Sequence, residues 1–585
     1  MKFWLYSSAF VGCCLGVTVL FFNISAMDEF KCIFASCKEL ERDEPSTSIL
    51  KKCNFEKECL ASSVWCVNRP DGSNLCRFEN LYHLPLHQGF FFFFMNEYSV
   101  ISGVKSIENL KTLELSTVKN HSAFHLKLVI VESSEYLLLH NLVFINDEIF
   151  LMKRFKPDNI MHVIHDDILP LYFTYKELCK GNVNVCLSIY KLLFIDDFGK
   201  GPYYEWYQSF SHYESIFIVT RDEAICFSRI TLGLNPKSVW FQYGFKNVQG
   251  PSFKTDLNAI ELKQFADFII HQFHIVKETL PSDQKDSKKV IFLNRKINRR
   301  ILNESIVVEH IKKMNNKYIV IFNMDLSVNS SKDLISAMQK TNYLIGMHGS
   351  AIIMSIFMPQ GSNIIELFPF GIQPKFVSPL KALCSLPTIF YNYHSWVNEN
   401  ENNTITHPEY PPLLGGLLHL PLLEQEQIKA TKLVPPVECC HNPHYLFKMF
   451  QDTIVDESFY SLVFSVLNNI TKITLTDEKI NEIIQMNMIN SWYYPPPVFN
   501  LSCDCNEANF IVKWSYPIVS TAKITFNVAT STGITTSGKD TYFDLISESC
   551  YKDNTQTNIV KAPISVWVKA IRGNQESVDS HTQCV

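Results

Sequence analysis

Between residues 290 and 367 short apolar runs alternate with helix-period segments. Residues 290–293, 318–322, 343–346 and 363–367 read as strands, and 301–313, 331–339 and 351–357 as helices. Runs that are apolar throughout need burial on both faces, and strands separated by helices pair in parallel, so this stretch specifies a doubly wound α/β sheet. Upstream, Leu262, Phe265, Ile269, Phe273, Val276 and Leu280 recur at spacings of three and four, an amphipathic helix. Sheets of this kind bind ligands beyond the carboxyl ends of their strands. That singles out residues 294–300, 347–350 and 368–371. Strand-like runs at 126–131 and 192–195 extend the α/β pattern towards the N-terminus.

The chain has 585 residues, a length that corresponds to about four units at roughly 150 residues each. Aromatic residues make up 13% and charged residues 19%, which excludes wholesale disorder. A net charge of −5, with no basic face implied, excludes a nucleic-acid partner. Residues 3–22 form an uncharged apolar run of 20, and a helix of that length spans the ~30 Å bilayer core. It is longer than the apolar stretch of a cleaved signal, the alternative reading. We therefore expect a cytosolic tail at 1–2, a transmembrane signal-anchor at 3–22, a stem at 23–60 and a lumenal body, the arrangement of a single-pass type II protein. Sixteen of the 18 cysteines follow the span, and an even count in an oxidising compartment predicts disulfides. Asn120, Asn329, Asn402, Asn469 and Asn500 are candidate glycosylation acceptors; Asn23 and Asn303 also match the acceptor pattern. Cys503 with Cys505, and Cys439-Cys440 with His441 and His444, lack the two well-spaced pairs of a structural zinc site. No bound metal is expected.

The body divides into a first half at 61–250, a second half with returning helices at 251–490, and a module at 491–585. Tyr493-Tyr494-Pro495-Pro496-Pro497 reads as a stiff linker before the module. Beyond it, polar–apolar alternation at 510–514, 523–528, 542–545 and 564–571 predicts a β-sandwich that resembles a fibronectin type III module.

Four clusters carry candidate chemistry. In a helix, His162 and Asp166 lie at i and i+4 on one face, where a carboxylate can orient an imidazole or itself take a proton; Asn159, His165 and Asp167 flank them. A solvated polar turn before Pro170 is the plainer alternative. Arg295, Lys296, Arg299 and Arg300 follow a buried strand, where guanidinium forks suit a diphosphate, although a charge run is ordinarily a solvated face. His348, Gly349 and Ser350 sit between a strand and a helix start, where backbone N–H groups are open to an anion. Glu366 ends a buried strand, placed either to accept from ribose hydroxyls or to cap a turn. No Asp-x-Asp occurs, which counts against a transferase that holds its nucleotide through a carboxylate-bound metal.

These segments resemble glycosyltransferase family 61. Ile291-Phe292-Leu293-Asn294-Arg295 with Asn298-Arg299-Arg300 is similar to the family's arginine motif. Met347-His348-Gly349-Ser350-Ala351 with Phe357-Met358-Pro359-Gln360-Gly361 and Ile365-Glu366-Leu367-Phe368-Pro369 is similar to its nucleotide-sugar segment, and Asn159, His162 and Asp166 fit its Asn-x-x-His-x-x-x-Asp pattern. The resemblance implies a GT-B fold of two Rossmann-like domains, with the half at 61–250 on the acceptor side and the second half binding the donor. It also implies inverting transfer of GlcNAc from UDP-GlcNAc to the 4-position of O-linked mannose on a protein such as dystroglycan. No cofactor or obligate divalent metal is implied, and the location implied is the endoplasmic reticulum membrane. On this footing Asp166 is the expected base with His162 competing. Arg295, Arg299 and Arg300 would meet the diphosphate, His348, Gly349 and Ser350 would lie in the same region, and Glu366 would meet the ribose or uracil. Asn159, His165 and Asp167 would face the acceptor. An EGF-domain-specific O-GlcNAc transferase and an inactive membrane-anchored recognition protein remain the alternatives, and homo-oligomerisation stays open.

Overall fold

The hairpin of β1 (Ser63–Asn68) and β2 (Asn74–His83) turns at Asp71 and Gly72 and is bridged by Cys66–Cys76, which face each other in the antiparallel register. Gly72 has φ +84°, the left-handed turn conformation glycine adopts without steric cost, and Asp71 Oδ1 accepts the Ser73 N–H at 2.9 Å. The computed structural model describes residues 61–468 and 498–584, apart from 85–89, 119–123, 134–141, 219–222, 244–247, 253–254, 277–287, 315–318, 325–329, 387–388, 436–441, 507–508, 516–523, 531–534, 539–541, 550–563, 573–574 and 577–579.

The first sheet has nine strands. To β1 and β2 it adds β3 (Phe90–Phe94), β4 (Ile101–Ser102), β5 (Lys127–Val131), β6 (Leu142–Met152), β7 (Tyr190–Phe194), β8 (Ile216–Phe217) and β9 (Ala224–Leu232). Its order is β4-β1-β2-β9-β6-β7-β8, with β3 and β5 branching from β2. β9, β6, β7 and β8 form a parallel run and β1–β4 and β3–β5 are parallel pairs, whereas β2 pairs antiparallel with β1, β3 and β9. The first half is therefore a mixed sheet and not wholly the parallel one expected. The connections explain it: among the described residues no helix lies between β1, β2 and β3, and parallel neighbours need a crossover.

A small hairpin, β10 (Phe241–Gln242) with β11 (Gly250–Pro251), leads to the second sheet. There β12 (Lys288–Leu293), β13 (Ile319–Met324), β14 (Tyr343–Met347), β15 (Asn363–Phe368) and β16 (Asn392–Val397) run parallel in the order β13-β12-β14-β15-β16. This matches the strand–helix alternation of the sequence, with three local differences. The helix beginning the region spans Ala259–Gln272, and Val276 lies beyond its end, 78% exposed. The helix expected from 301 starts at Glu304, because Ile301 is held as a β-bridge to Thr453. The turns after Gly349 are wound as a 3-10 helix, Ser350–Phe357.

One hydrophobic core runs through both halves, from Phe150 and Leu192 through Phe265 to Ile291, Ile353 and Leu383. Trp206 and Trp240 are fully buried at the junction, each contributing about 2–3 kcal/mol of apolar burial. Trp206 Nε1 donates to Ser331 Oγ at 3.0 Å, and Trp240 Nε1 to the Pro379 carbonyl at 2.8 Å. Both indoles thus belong to the core that the two halves share.

The C-terminal residues form two antiparallel sheets, one containing Asn509–Ser515 and the other Thr525–Thr530 and Ile564–Arg572. Val512 and Trp514 from one share a core with Phe526, Val566 and Val568 from the other. A second bridge joins Cys179 to Cys186, Cys503 is also disulfide-bonded, and Cys226 and Cys384 are unbridged. The run at 3–22, Cys439, Cys440, His441, Asn120, Asn329 and Asn469 lie outside the described residues. Among the described residues no helix is long and apolar enough to cross a membrane.

Candidate functional site

The segment carrying His162 and Asp166 is helical, with an unusual winding. Asn159 caps its start by accepting the Met161 N–H at 3.1 Å; Ile160–His162 is α, Val163–Ile168 is a π-helix, and Leu169–Leu178 returns to α. A π turn within an α-helix re-aims side chains and recurs at functional sites. Here His162 Nδ1 lies 2.7 Å from Asp166 Oδ2, and His165 Nδ1 lies 2.6 Å from Oδ1. His165 Nε2 accepts the backbone N–H groups of Trp240 and Phe241, each at 3.3 Å, so its proton sits on Nδ1 and is donated to Asp166. Tyr243 OH lies 3.0 Å from His165 Nδ1, and Thr117 Oγ1 donates to the Asp166 carbonyl at 2.8 Å.

Burial alone would raise the Asp166 pKa; the two histidines outweigh it and hold the carboxyl below its ordinary range. Burial pushes His162 below its ordinary value, partly offset by its hydrogen bond to Asp166. Asp166 is 1% exposed and sits behind His162, which lines the cleft together with Asn159. The imidazole, held by Asp166 through Nδ1, is the member of the pair that the cleft presents.

Across the cleft the arginine loop leaves β12. Arg295 is folded onto Asn298, with Nε donating to its carbonyl at 3.0 Å and Nη2 to its Oδ1 at 2.8 Å. Its Nη1 packs against Gly349 where a Cβ would stand, and Arg299 Nη1 is 3.6 Å from that same point. Two guanidinium groups therefore converge on one glycine backbone. Arg299 lines the cleft, its Nε is buried without a hydrogen-bond partner, and it forms no ion pair among the described residues. Burial and the Arg295 charge push its pKa well down, the sense expected of a cation left without an anion.

His348 follows β14 and lines the cleft beside Gly349 and Ser350. Its Nδ1 is 2.7 Å from Glu366 Oε1, and its ring stacks on Phe368 at 4.9 Å. Glu366 Oε2 accepts from Ser378 Oγ at 2.5 Å and Tyr393 OH at 2.7 Å. Tyr243, Gln249, Tyr445 and Leu380 complete the cleft between the two sheets.

Several expected residues are elsewhere. Arg300 does not line the cleft; its Nε lies 2.8 Å from Asp452 Oδ2, an ion pair that takes it off the expected diphosphate contact. Glu366 is buried at the cleft wall with both oxygens engaged, one by His348 and the other by Ser378 and Tyr393, so in this structure it orients His348. His165 and Asp167 are also fully buried, away from any acceptor; Asp167 Oδ2 accepts from Tyr207 OH at 2.6 Å, and burial pushes its pKa well up. Asn402 and Asn500 are exposed. Asn303 is not, because its amide pairs in both directions with the Val455 backbone, at 2.8 and 3.1 Å. Tyr243, Gln249 and Tyr445 were not singled out from the sequence; the run Trp240-Phe241-Gln242-Tyr243 was the one available signal.

The family model described as Glycosyltransferase 61 matches residues 160–365, a stretch that takes in His162, the arginine loop and His348 and stops one residue short of Glu366. A protein of Xenopus laevis named protein O-linked-mannose beta-1,4-N-acetylglucosaminyltransferase 2 is 30% identical over 517 residues, covering 85% of each chain. The chain belongs to glycosyltransferase family 61. Among other proteins of that name, the one from Mus musculus is 31% identical to this family 61 chain over 396 residues, covering 67% of this chain and 66% of its own. The one from Takifugu rubripes is 28% identical over 469 residues, covering 77% of each. In family 61 terms, the matched region holds parts of both walls of the cleft, with the His162 helix at its start and β15 at its end.

Proposed function

We propose that this family 61 chain transfers GlcNAc from UDP-GlcNAc to the 4-position of O-linked mannose on a protein, with inversion at the sugar. The names of the relatives support the reaction class. The observation that carries the reading is the convergence of Arg295 and Arg299 on Gly349, where Arg299 and Gly349 line the same cleft as His162. In the transfer, the acceptor O4 forms a bond to the sugar C1 while the bond from C1 to the β-phosphate oxygen breaks. The acceptor proton passes to His162 Nε2, and Asp166 stabilises the imidazolium through Nδ1. Charge developing on UDP meets Arg295 and Arg299, with His348 aimed by Glu366 into the same region. Asn159 stands on the acceptor wall.

In this reading guanidinium groups do the electrostatic work that a divalent metal does in other transferases, so no obligate metal and no cofactor is required. The two sheets with a cleft between them support a GT-B arrangement, and the C-terminal pair of antiparallel sheets supports a fibronectin type III-like module. The apolar run at 3–22 supports a type II anchor in the endoplasmic reticulum membrane.

The test is to incubate the purified full-length chain with UDP-GlcNAc and either an O-mannosyl peptide or an EGF repeat. Labelling of the mannosyl peptide is expected. Labelling of the EGF repeat alone would replace this reading with the EGF-specific one, and labelling of neither, without UDP binding, would favour an inactive recognition protein.

A further inference from the structure

The arginine loop is held from a part of the chain 152 residues away. β17 (Thr404–Ile405) pairs with β18 (Asp452–Thr453), and β18 in turn runs beside the end of the loop. Ile301 bridges Thr453 in parallel, the Thr453 N–H donates to the Arg300 carbonyl at 2.9 Å, and the Leu302 N–H donates to the Thr453 carbonyl at 2.9 Å. At the head of this seam stands Asp452, fully buried. Its Oδ1 accepts the Arg300 backbone N–H at 2.7 Å, and its Oδ2 accepts Arg300 Nε at 2.8 Å and Nη2 at 2.5 Å. His407 Nε2 lies 3.0 Å from the same Oδ2. One carboxylate thus fixes both the main chain and the side chain of Arg300.

The residue before it is strained. Arg299 has φ +53°, a left-handed conformation that a non-glycine residue keeps only when its surroundings enforce it. The peptide joining Arg299 to Arg300 is the one whose N–H Asp452 holds. Two residues before Asp452, the Phe450 ring lies 4.9 Å from the Arg299 guanidinium carbon. The stretch 450–452 therefore governs both the backbone turn at Arg299 and the surface against which its guanidinium rests.

We propose that Asp452 is a positioning residue for donor recognition: by clasping Arg300 it holds the left-handed turn at Arg299 and aims that guanidinium into the cleft. This rests on the donor reading above. Its effect falls on binding of the nucleotide diphosphate and not on proton transfer, because His162 and Asp166 belong to the opposite wall.

The test is a calorimetric titration of UDP into the full-length chain and its Arg300→Ala, Asp452→Asn, Arg299→Ala and Arg299→Ala/Arg300→Ala variants, with kinetics on each. Arg300 is partly exposed, so its variant keeps the test available if the buried Asp452→Asn change prevents folding. Arg300→Ala and Asp452→Asn are each expected to weaken UDP binding about tenfold while kcat at saturating donor changes by less than about twofold. Adding Arg300→Ala to Arg299→Ala is expected to cause no further loss, since the clasp acts through Arg299. Unchanged UDP affinity in Arg300→Ala, or a full additional loss in the double variant, overturns the proposal. Failure of the wild-type chain to bind UDP is a separate result: it removes the donor reading itself.

Discussion

His162 Nδ1 lies 2.7 Å from Asp166 Oδ2, while the other oxygen of that carboxylate is held by His165 at 2.6 Å. Asp166 is thus fixed from behind and orients the imidazole on the cleft wall. Replacing Asp166 by Asn keeps the size and loses the charge that holds the tautomer. Asp166→Asn is expected to lower kcat by about 10³–10⁴ and to leave UDP affinity within about twofold. Steady-state kinetics with a calorimetric titration checks this, and near-normal turnover would remove Asp166 from the mechanism.

The pH dependence has a definite sign. A base works unprotonated, and burial lowers the His162 pKa from its ordinary 6.5, so the competent form persists to more acid pH. The acid limb of kcat/KM is expected below 6.5. In Asp166→Asn the interaction that raises the His162 pKa is lost, so any residual activity should carry a limb shifted further towards acid. A limb above the ordinary histidine value would point to another group.

The second sheet was legible in the sequence because its buried strands and amphipathic helices have different periods, and Ser331–Gln339 appears with the bounds the pattern gives. The pairing of His162 with Asp166 followed from helical spacing alone. Their division of labour did not, because the π winding that sets one residue behind the other has no local sequence mark. The four cations of the arginine loop were equivalent in the sequence; only contact with Asp452, far along the chain, separates Arg300 from Arg295 and Arg299. Tyr445 and Gln249 reach the cleft through tertiary packing in the same way. The antiparallel part of the first sheet went unread because β2, buried at most of its ten positions, shows no polar–apolar alternation.

Gly349 provides a steric test. A Cβ there would collide with Arg295 Nη1. Gly349→Ala is expected to raise KM for UDP-GlcNAc about tenfold by displacing that guanidinium, with little change in the thermal midpoint. An unchanged KM would show that Arg295 does not act from its observed position.

Arg154 supplies a contrast remote from donor chemistry. It is fully buried, with Nε 3.0 Å from Asp196 Oδ2 and its guanidinium carbon 4.3 Å from the Phe194 ring. Arg154→Ala leaves Asp196 buried without its cation and is expected to cost about 3–5 kcal/mol, read by urea denaturation. A loss below about 1 kcal/mol would mean that water or another group replaces the guanidinium.

Because Arg299 lines the cleft with Arg295 packed on Gly349 beside it, chelation is expected to leave the rate unchanged. Activity measured with and without EDTA checks this, and inhibition that manganese reverses would assign the diphosphate charge to a metal.

The most direct measurement is a crystal structure of the protein with UDP bound. The diphosphate is expected within hydrogen-bonding reach of Arg295 and Arg299 beside Gly349, with His162 facing it across the cleft. A diphosphate bound away from both guanidinium groups would contradict the account.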